Sequence, residues 1–186
     1  MRSVTYSLTM SVDGYVMDAE GSFDWSAPDL EVFRFATEEV RQLGVHLMGR
    51  RLYETMLYWE DVDRSSQTED ENTFADLWNP LPKVVFSTTL TEVRSNARLA
   101  SAGLAEEVAR LRAEPGTSNI GIGGADLAAQ AADLDLIDEY HIRISPVLVG
   151  GGTPFFAHHG RRSDLELLGM RQFASGTVYL GYRVRH

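Results

Sequence analysis

Asn119-Ile120-Gly121-Ile122-Gly123-Gly124-Ala125-Asp126-Leu127 joins a short apolar run, a glycine pair and the start of an alanine-rich segment. A strand, a backbone-exposing turn and a helix N-terminus in that order form an anion site. The peptide N–H groups point outward with no side chain in the way and meet the positive end of the helix dipole. The three spaced glycines of a full dinucleotide fingerprint are absent, so the stretch reads either as a phosphate-binding turn or as an ordinary tight turn. Gly121, Gly123, Gly124, Ala125, Asp126 and Leu127 are the candidate contacts in the first case.

Working outward, Val4, Tyr6, Leu8 and Met10 recur with period two and run into Asp13-Gly14, which predicts a strand ending in a bend. From Ser26, the residues Leu30, Phe33, Ala36, Val40 and Leu43 keep helical spacing, with Ser26 and Asp29 as a capping pair and Gly44 as the stop. Val45 to Met48 is a short strand leading into Gly49-Arg50-Arg51 and a second helix through Leu52, Tyr53, Met56 and Leu57. Asp61 to Glu71 is acidic and polar and reads as a solvated loop. Lys83 to Phe86 is a strand ending at Ser87-Thr88-Thr89. Leu104, Val108 and Leu111 mark a helix before the glycine stretch, and Leu127, Ala128, Ala131 and Leu134 mark one after it. Tyr140 to Ser145 is a strand, Pro146 to Arg162 a glycine-rich excursion. Leu165 to Phe173 pairs with Val178 to Val184 as a hairpin through Ser175-Gly176.

Strands alternating with helices predict a three-layer α/β/α domain whose sheet is mostly parallel and mixed by its antiparallel C-terminal hairpin. The chain of 186 residues fits one domain, 1–186, with no linker, repeat or low-complexity tract. In such sheets ligands sit at the carboxyl ends of strands, and Met10, Met48, Phe86 and Ile122 bring four strand ends to one side.

Composition narrows the partners. A formal net charge of -10 argues against nucleic acid and anionic membrane surfaces, and no apolar run approaches spanning length. The absence of cysteine removes disulfides and thiolate chemistry and fits a cytoplasmic location. His158-His159 has no third ligand at metal spacing, so no metal is expected. Asp133, Asp135, Asp138 and Glu139 cluster around a helix end and read as solvated. No Gly-x-Ser-x-Gly elbow or P-loop occurs.

With these junctions placed, the chain resembles the dihydrofolate reductase superfamily, in the branch of the C-terminal reductase domain of riboflavin biosynthesis enzymes. The resemblance rests on Ser11-Val12-Asp13-Gly14-Tyr15-Val16, Met48-Gly49-Arg50-Arg51-Leu52-Tyr53-Glu54, Lys83-Val84-Val85-Phe86-Ser87, the glycine stretch, and Leu136 to Tyr140 leading into Pro146 to Phe156. It implies an NADPH-dependent reductase of a small heterocycle or carbonyl, with reduction of 5-amino-6-(5-phosphoribosylamino)uracil as the family activity. It also implies a homodimer, for which the glycine-rich Val149 to Phe156 segment and the C-terminal hairpin are the expected pairing surface. A nucleotide-binding module without turnover, or a dihydrofolate or pterin reductase, are the alternatives.

For the cofactor, Gly49, Arg50 and Arg51 open a helix where backbone N–H groups and a guanidinium meet phosphate, and Ser87 and Thr88 offer hydroxyls from the next strand end. For the substrate, Trp25, Asp29, Leu30 and Phe33 are similar to the pattern by which the folate branch holds its ring, so Asp29 is a candidate catalytic acid; its other reading is a helix cap. Asp13 is the second catalytic candidate and equally a turn residue. Trp25, Tyr53 and Phe155 are read as an apolar wall for a flat substrate, or as ordinary core. Two departures bear on substrate. Pro80-Leu81-Pro82-Lys83 lacks the arginine that clamps a folate tail, and Ser7 stands about where the riboflavin reductases place a lysine.

Overall fold

The computed structural model describes residues 2–156 and 162–185, so His158 and His159 lie outside the described residues. An eight-stranded sheet is built from β1 (Val4–Ser11), β3 (Leu43–Gly49), β4 (Lys83–Phe86), β5 (Ala97–Leu99), β6 (Asn119–Gly123), β7 (Glu139–Ser145), β9 (Asp164–Gln172) and β10 (Val178–Arg185). Their spatial order is β5-β4-β3-β6-β1-β7-β10-β9. The first five pairings are parallel, and β10 closes antiparallel on both β7 and β9. Two short strands, β2 (Tyr15–Met17) and β8 (Thr153–Pro154), form a separate ribbon.

The pleat sorts side chains between two helical layers. Val4, Tyr6, Leu47, Val84, Ile120, Ile122 and Ile142 occupy one face. They form a single apolar cluster with Leu104, Val108 and Leu111 of α5 (Leu104–Ala113) and with Leu127, Ala128 and Ala131 of α6 (Ala125–Asp133). Each fully buried aliphatic side chain there contributes about 1.5–3 kcal/mol against exposure. The other face carries Met48 and Val85, which pack with Tyr53 of α2 (Arg50–Met56) and with Phe74 and Trp78 of α4 (Glu69–Trp78). The helix α1 (Leu30–Arg41) lies on the same side and packs against α4. A four-residue helix, α3 (Tyr58–Asp61), links α2 to α4.

Several boundaries differ from the sequence expectation for physical reasons. The helix α1 starts at Leu30 with Asp29 as its cap, accepting from Val32 N at 2.9 Å. Ser26 instead donates to Phe23 O inside a 3-10 turn, so no Ser26–Asp29 capping box forms. Leu43 and Gly44 belong to β3, and Gly44 stops nothing: a Cβ there would stand 2.6 Å from the Arg2 guanidinium. Asp61 to Glu71 is not all loop, because Thr68 and Glu71 make a reciprocal capping box that starts α4. Leu134 is exposed at the end of α6, outside its buried face. Asp138 is not simply solvated: it accepts from Val4 N at 2.7 Å and from Arg112 at 2.5 Å.

Glu107 on α5 has no exposed side-chain surface. It accepts from Arg98, Arg110 and Ser101 N and so ties α5 to β5. These bonds, led by that from Arg98, lower its pKa to about 2. A depressed acid contributes stability above its unfolded pKa and loses it as pH falls through the folded one. Unfolding monitored between pH 4.5 and 2 is expected to show a steep loss in the native protein and a flatter one in Glu107→Gln.

Candidate functional site

Because β1, β3, β4, β6 and β7 run parallel, Ser11, Gly49, Phe86, Gly123 and Ser145 all end on one edge. Arg50 joins two of those ends: its Nη1 donates to Thr89 Oγ1 at 3.0 Å while Nε pairs with Glu54 at 2.7 Å. Ser87 Oγ accepts from Thr89 N and Leu90 N, which folds the loop after β4 back on itself. Thr88 is exposed, and so is Arg51, whose guanidinium has no hydrogen-bond or ionic partner among the described residues.

Gly124 has φ +87°, a conformation that favours glycine, and a Cβ there would meet nothing within 4 Å. It precedes α6, whose leading N–H groups receive no side-chain cap. Gly121 and Gly123 are glycine for a different reason: a Cβ at Gly121 would stand 2.8 Å from both His46 and Leu43, and one at Gly123 2.4 Å from Leu52. Ala125 packs against the core and Leu127 is buried in it, so these two offer backbone only; Asp126 is exposed in the first turn of α6.

The proposed acids are both engaged. Asp13 accepts from Gly150 N at 2.7 Å and Val149 N at 3.2 Å, pinning the excursion after β7 to the end of β1. Hydrogen bonding by Ser11 and then by those amides holds its carboxyl below the ordinary range. Asp29 caps α1, and a hydrogen bond from Ser175, followed by that from Val32, lowers it likewise. Neither stands ready as a proton donor at neutral pH.

The three aromatics expected to share a wall do not meet. Tyr53 is buried on the α4 side, its hydroxyl accepting from Arg94 N at 2.8 Å. Phe155 stacks on Tyr6 at 4.4 Å in the opposite layer. Trp25 sits in the 3-10 turn Asp24–Ser26 that leans on β1, its Nε1 buried without a partner among the described residues.

A cavity of about 190 Å³ lies instead beneath α1, between that helix, the sheet and α4. One wall is polar, formed by Ser7, Glu39, His141 and Arg143; the other holds Leu52, Phe74 and Trp78. Gly121 and Gly123 floor it. Arg143 donates to Ser7 Oγ at 2.9 Å, to Thr9 Oγ1 at 3.3 Å and to Glu39, while His141 Nδ1 meets Glu39 Oε1 at 2.8 Å and Nε2 meets Glu139 at 3.3 Å. Burial raises the pKa of Glu39, but Arg143 and His141 outweigh it and hold the carboxyl below its usual range. Burial lowers His141, and the two glutamates reverse that and raise it.

Sequence reasoning missed this cluster, although a signal exists. Thr5, Ser7 and Thr9 alternate with Tyr6 and Leu8, as His141 and Arg143 alternate with Tyr140, Ile142 and Ile144, on two adjacent strands of the sheet interior. Polar residues at period two on strands covered on both sides mark a polar interior.

Comparison with known proteins completes the picture. The RibD C-terminal domain family matches residues 2–179. The uncharacterized Bacillus subtilis (strain 168) protein YyaP is 30% identical over 184 residues, covering 97% of this chain and 94% of that protein. YwjB of the same strain is 28% identical over 187 residues, covering 97% of each. Among solved structures, a putative riboflavin biosynthesis protein from Shewanella sp. PV-4 superposes with a TM-score of 0.77 at 24% identity over the whole of both chains. A diaminohydroxyphosphoribosylaminopyrimidine deaminase/5-amino-6-(5-phosphoribosylamino)uracil reductase from Thermotoga maritima gives 0.65 at 17%, covering 99% of this chain and 57% of that one. The glycine-led strand end, the mostly parallel sheet and a match running from β1 into β10 agree: the chain belongs to the RibD C-terminal domain family, with the dihydrofolate reductase-like fold.

Proposed function

We propose that the protein is an NADPH-dependent reductase that passes hydride to a small acceptor held beneath α1. The observation that carries this reading is the uncapped N-terminus of α6 behind Gly124, on the same edge as Arg51 and directly after β6, whose Gly121 and Gly123 floor the cavity. The residues fit the cofactor: a positive-φ glycine with open space in front of it, unsatisfied helix N–H groups and a guanidinium without a partner among the described residues suit a pyrophosphate and the 2′-phosphate. When bound, NADPH supplies the hydride. The chain's own part is positional. The Arg50–Thr89 bond holds the ends of β3 and β4 together, and the apolar wall of Leu52, Phe74 and Trp78 keeps water from the acceptor. The family activity, reduction of a ribosylaminouracil, supports the reaction class and is the first substrate to assay.

Fluorescence titration tests the cofactor reading. NADPH is expected to bind at micromolar concentration, and Arg51→Ala is expected to weaken NADPH roughly tenfold while leaving NADH and the melting temperature unchanged. Equal affinity of the native protein for the two nucleotides would refute the role of Arg51; no binding of either would end the reductase reading.

The same reading includes a homodimer. Leu165, Leu167 and Met170 on the edge strand β9 are exposed, and they continue the face of Leu180 and Tyr182 past the cover of α5 and α6. Exposed apolar edge strands are normally covered. Sedimentation equilibrium is expected to give twice the chain mass, and Leu167→Lys the chain mass; a native monomer at micromolar concentration rules this surface out.

No helix among the described residues is long and apolar enough to cross a membrane.

A further inference from the structure

We infer that the acceptor beneath α1 is an uncharged, planar carbonyl compound of one or two fused rings, bound oxygen-first to Arg143 and Trp78. The inference rests on the reductase reading for its chemistry, and on the cavity itself for the choice of ligand.

Size sets the first limit. A volume of about 190 Å³ falls below the ~300–1,000 Å³ of pockets that enclose drug-sized ligands, and it suits a ring system without a long substituent. Phe74 and Trp78, stacked on each other, line the apolar wall and suit an aromatic ligand.

Hydrogen-bond complementarity sets the second. Arg143 uses Nε on Thr9 and Nη1 on Ser7 and Glu39, and its Nη2 donates to none of the described residues. Trp78 is 3% exposed, and its indole N–H, like His46 Nδ1 on the same lining, is buried without a partner among the described residues. Both residues line the cavity. A buried donor without an acceptor costs about 1–3 kcal/mol, so a ligand that presents an acceptor to the Trp78 indole relieves that cost, and a second acceptor suits the remaining Arg143 nitrogen. Carbonyl oxygens present acceptors and no donors.

Charge sets the third. Arg143 is neutralised by Glu39 at contact distance, and His141 lies between Glu39 and Glu139. His46, the remaining titratable ring on the wall, is held neutral by burial and by Lys83, with a pKa of about 4. Among the described residues that line the cavity, Arg143 and His141 each already face a carboxylate, Glu139 being shared with Arg183, so an anionic ligand would have to compete with Glu39 and Glu139 for them, and a buried unpaired anion is strongly disfavoured. The ribosyl phosphate of the family substrate therefore meets no uncommitted counter-charge in this cavity.

The chemistry balances as acceptor plus NADPH plus one proton giving reduced acceptor and NADP+. Bound NADPH would supply the hydride and solvent the proton: a simple carbonyl gains a C–H and an O–H bond to give the alcohol, and a quinone gains both equivalents to give the hydroquinone. The chain has no cysteine, so an electrophilic quinone meets no thiol to alkylate.

Menadione and 1,4-naphthoquinone-2-sulfonate are a neutral and an anionic probe of similar shape. Calorimetric titration of each, with and without saturating NADP+, is expected to show saturable menadione binding at least tenfold tighter than the sulfonate. Trp78→Phe keeps the ring and removes the N–H, and is expected to weaken menadione about fivefold to tenfold. The double variant Glu39→Gln/Arg143→Met removes the pair without stranding a charge and is expected to weaken it further. Absence of menadione binding in both conditions, equal or tighter binding of the sulfonate, or undiminished affinity in both variants would overturn the inference. A protein that binds menadione but not NADPH would instead refute the reductase reading and leave the acceptor assignment standing.

Discussion

Arg143→Met is expected to destabilise the protein by about 3–5 kcal/mol at pH 7, the usual cost of removing one partner from a buried ion pair. Arg143 and Glu39 expose 11% and 14% of their side-chain surface, so little solvent remains to take over from the lost guanidinium. Ser7 and Thr9 lose their bonds to Arg143 at the same stroke. The double variant Glu39→Gln/Arg143→Met is expected to recover most of the loss, because the uncompensated carboxylate goes with the cation. Urea unfolding checks both, and the single variant should improve as pH falls and Glu39 protonates. A loss under 1 kcal/mol for the single variant would show that the pair is hydrated.

Gly152→Ala is expected to cost about 2–4 kcal/mol through backbone strain and overlap. Gly152 has φ +121°, and a Cβ there would stand 2.1 Å from Met17 O and 2.5 Å from Asp18 C. Those are backbone atoms with no rotamer to yield. The excursion must lift away from β2, and with it Phe155, whose N–H donates to Gly14 O and whose ring stacks on Tyr6. The melting temperature and the exchange protection of the Phe155 amide report the two parts of this effect. Unchanged protection at Phe155 would show that the strain is absorbed inside the glycine run.

The fold was legible because its signals are local. Period two in Val4 to Met10, the glycine stretch before Ala125 and the hairpin turn at Ser175-Gly176 each reflect backbone geometry that a few residues determine. The helix α4 was lost to its charge: Glu69, Asp70 and Glu71 look like solvated loop, yet acids in a first turn suit the helix dipole, and Thr68 with Glu71 is a start signal. The strand ends of the candidate site were readable, but the cavity was not. Glu39, His141 and Arg143 come together across 102 and 104 positions of sequence, and no local pattern in α1 says which strand it will cover. The glycines show the converse. Gly124 has a conformational reason visible in the turn, whereas Gly121 and Gly123 are small because His46, Leu43 and Leu52 need the space. Asp13 and Asp29 were attractive as lone acids at a strand end and a helix start, and those are also the places where backbone N–H groups most need an acceptor.

Strand order has a consequence for biosynthesis. The strand β1 pairs with β6 and β7, so its hydrogen-bonding groups wait until residues 119–145 have been translated. The end of β1 waits longer still, since Val12 donates to Val147 O, Asp13 binds the amides of Val149 and Gly150, and Gly14 O accepts from Phe155. At roughly 5–20 residues per second, the apolar N-terminal segment stays unpaired for many seconds in each round of synthesis. Val4 and Tyr6 belong to the core of the finished sheet, with Leu8 packed against it, and until then they form an exposed strand open to nascent-chain chaperones.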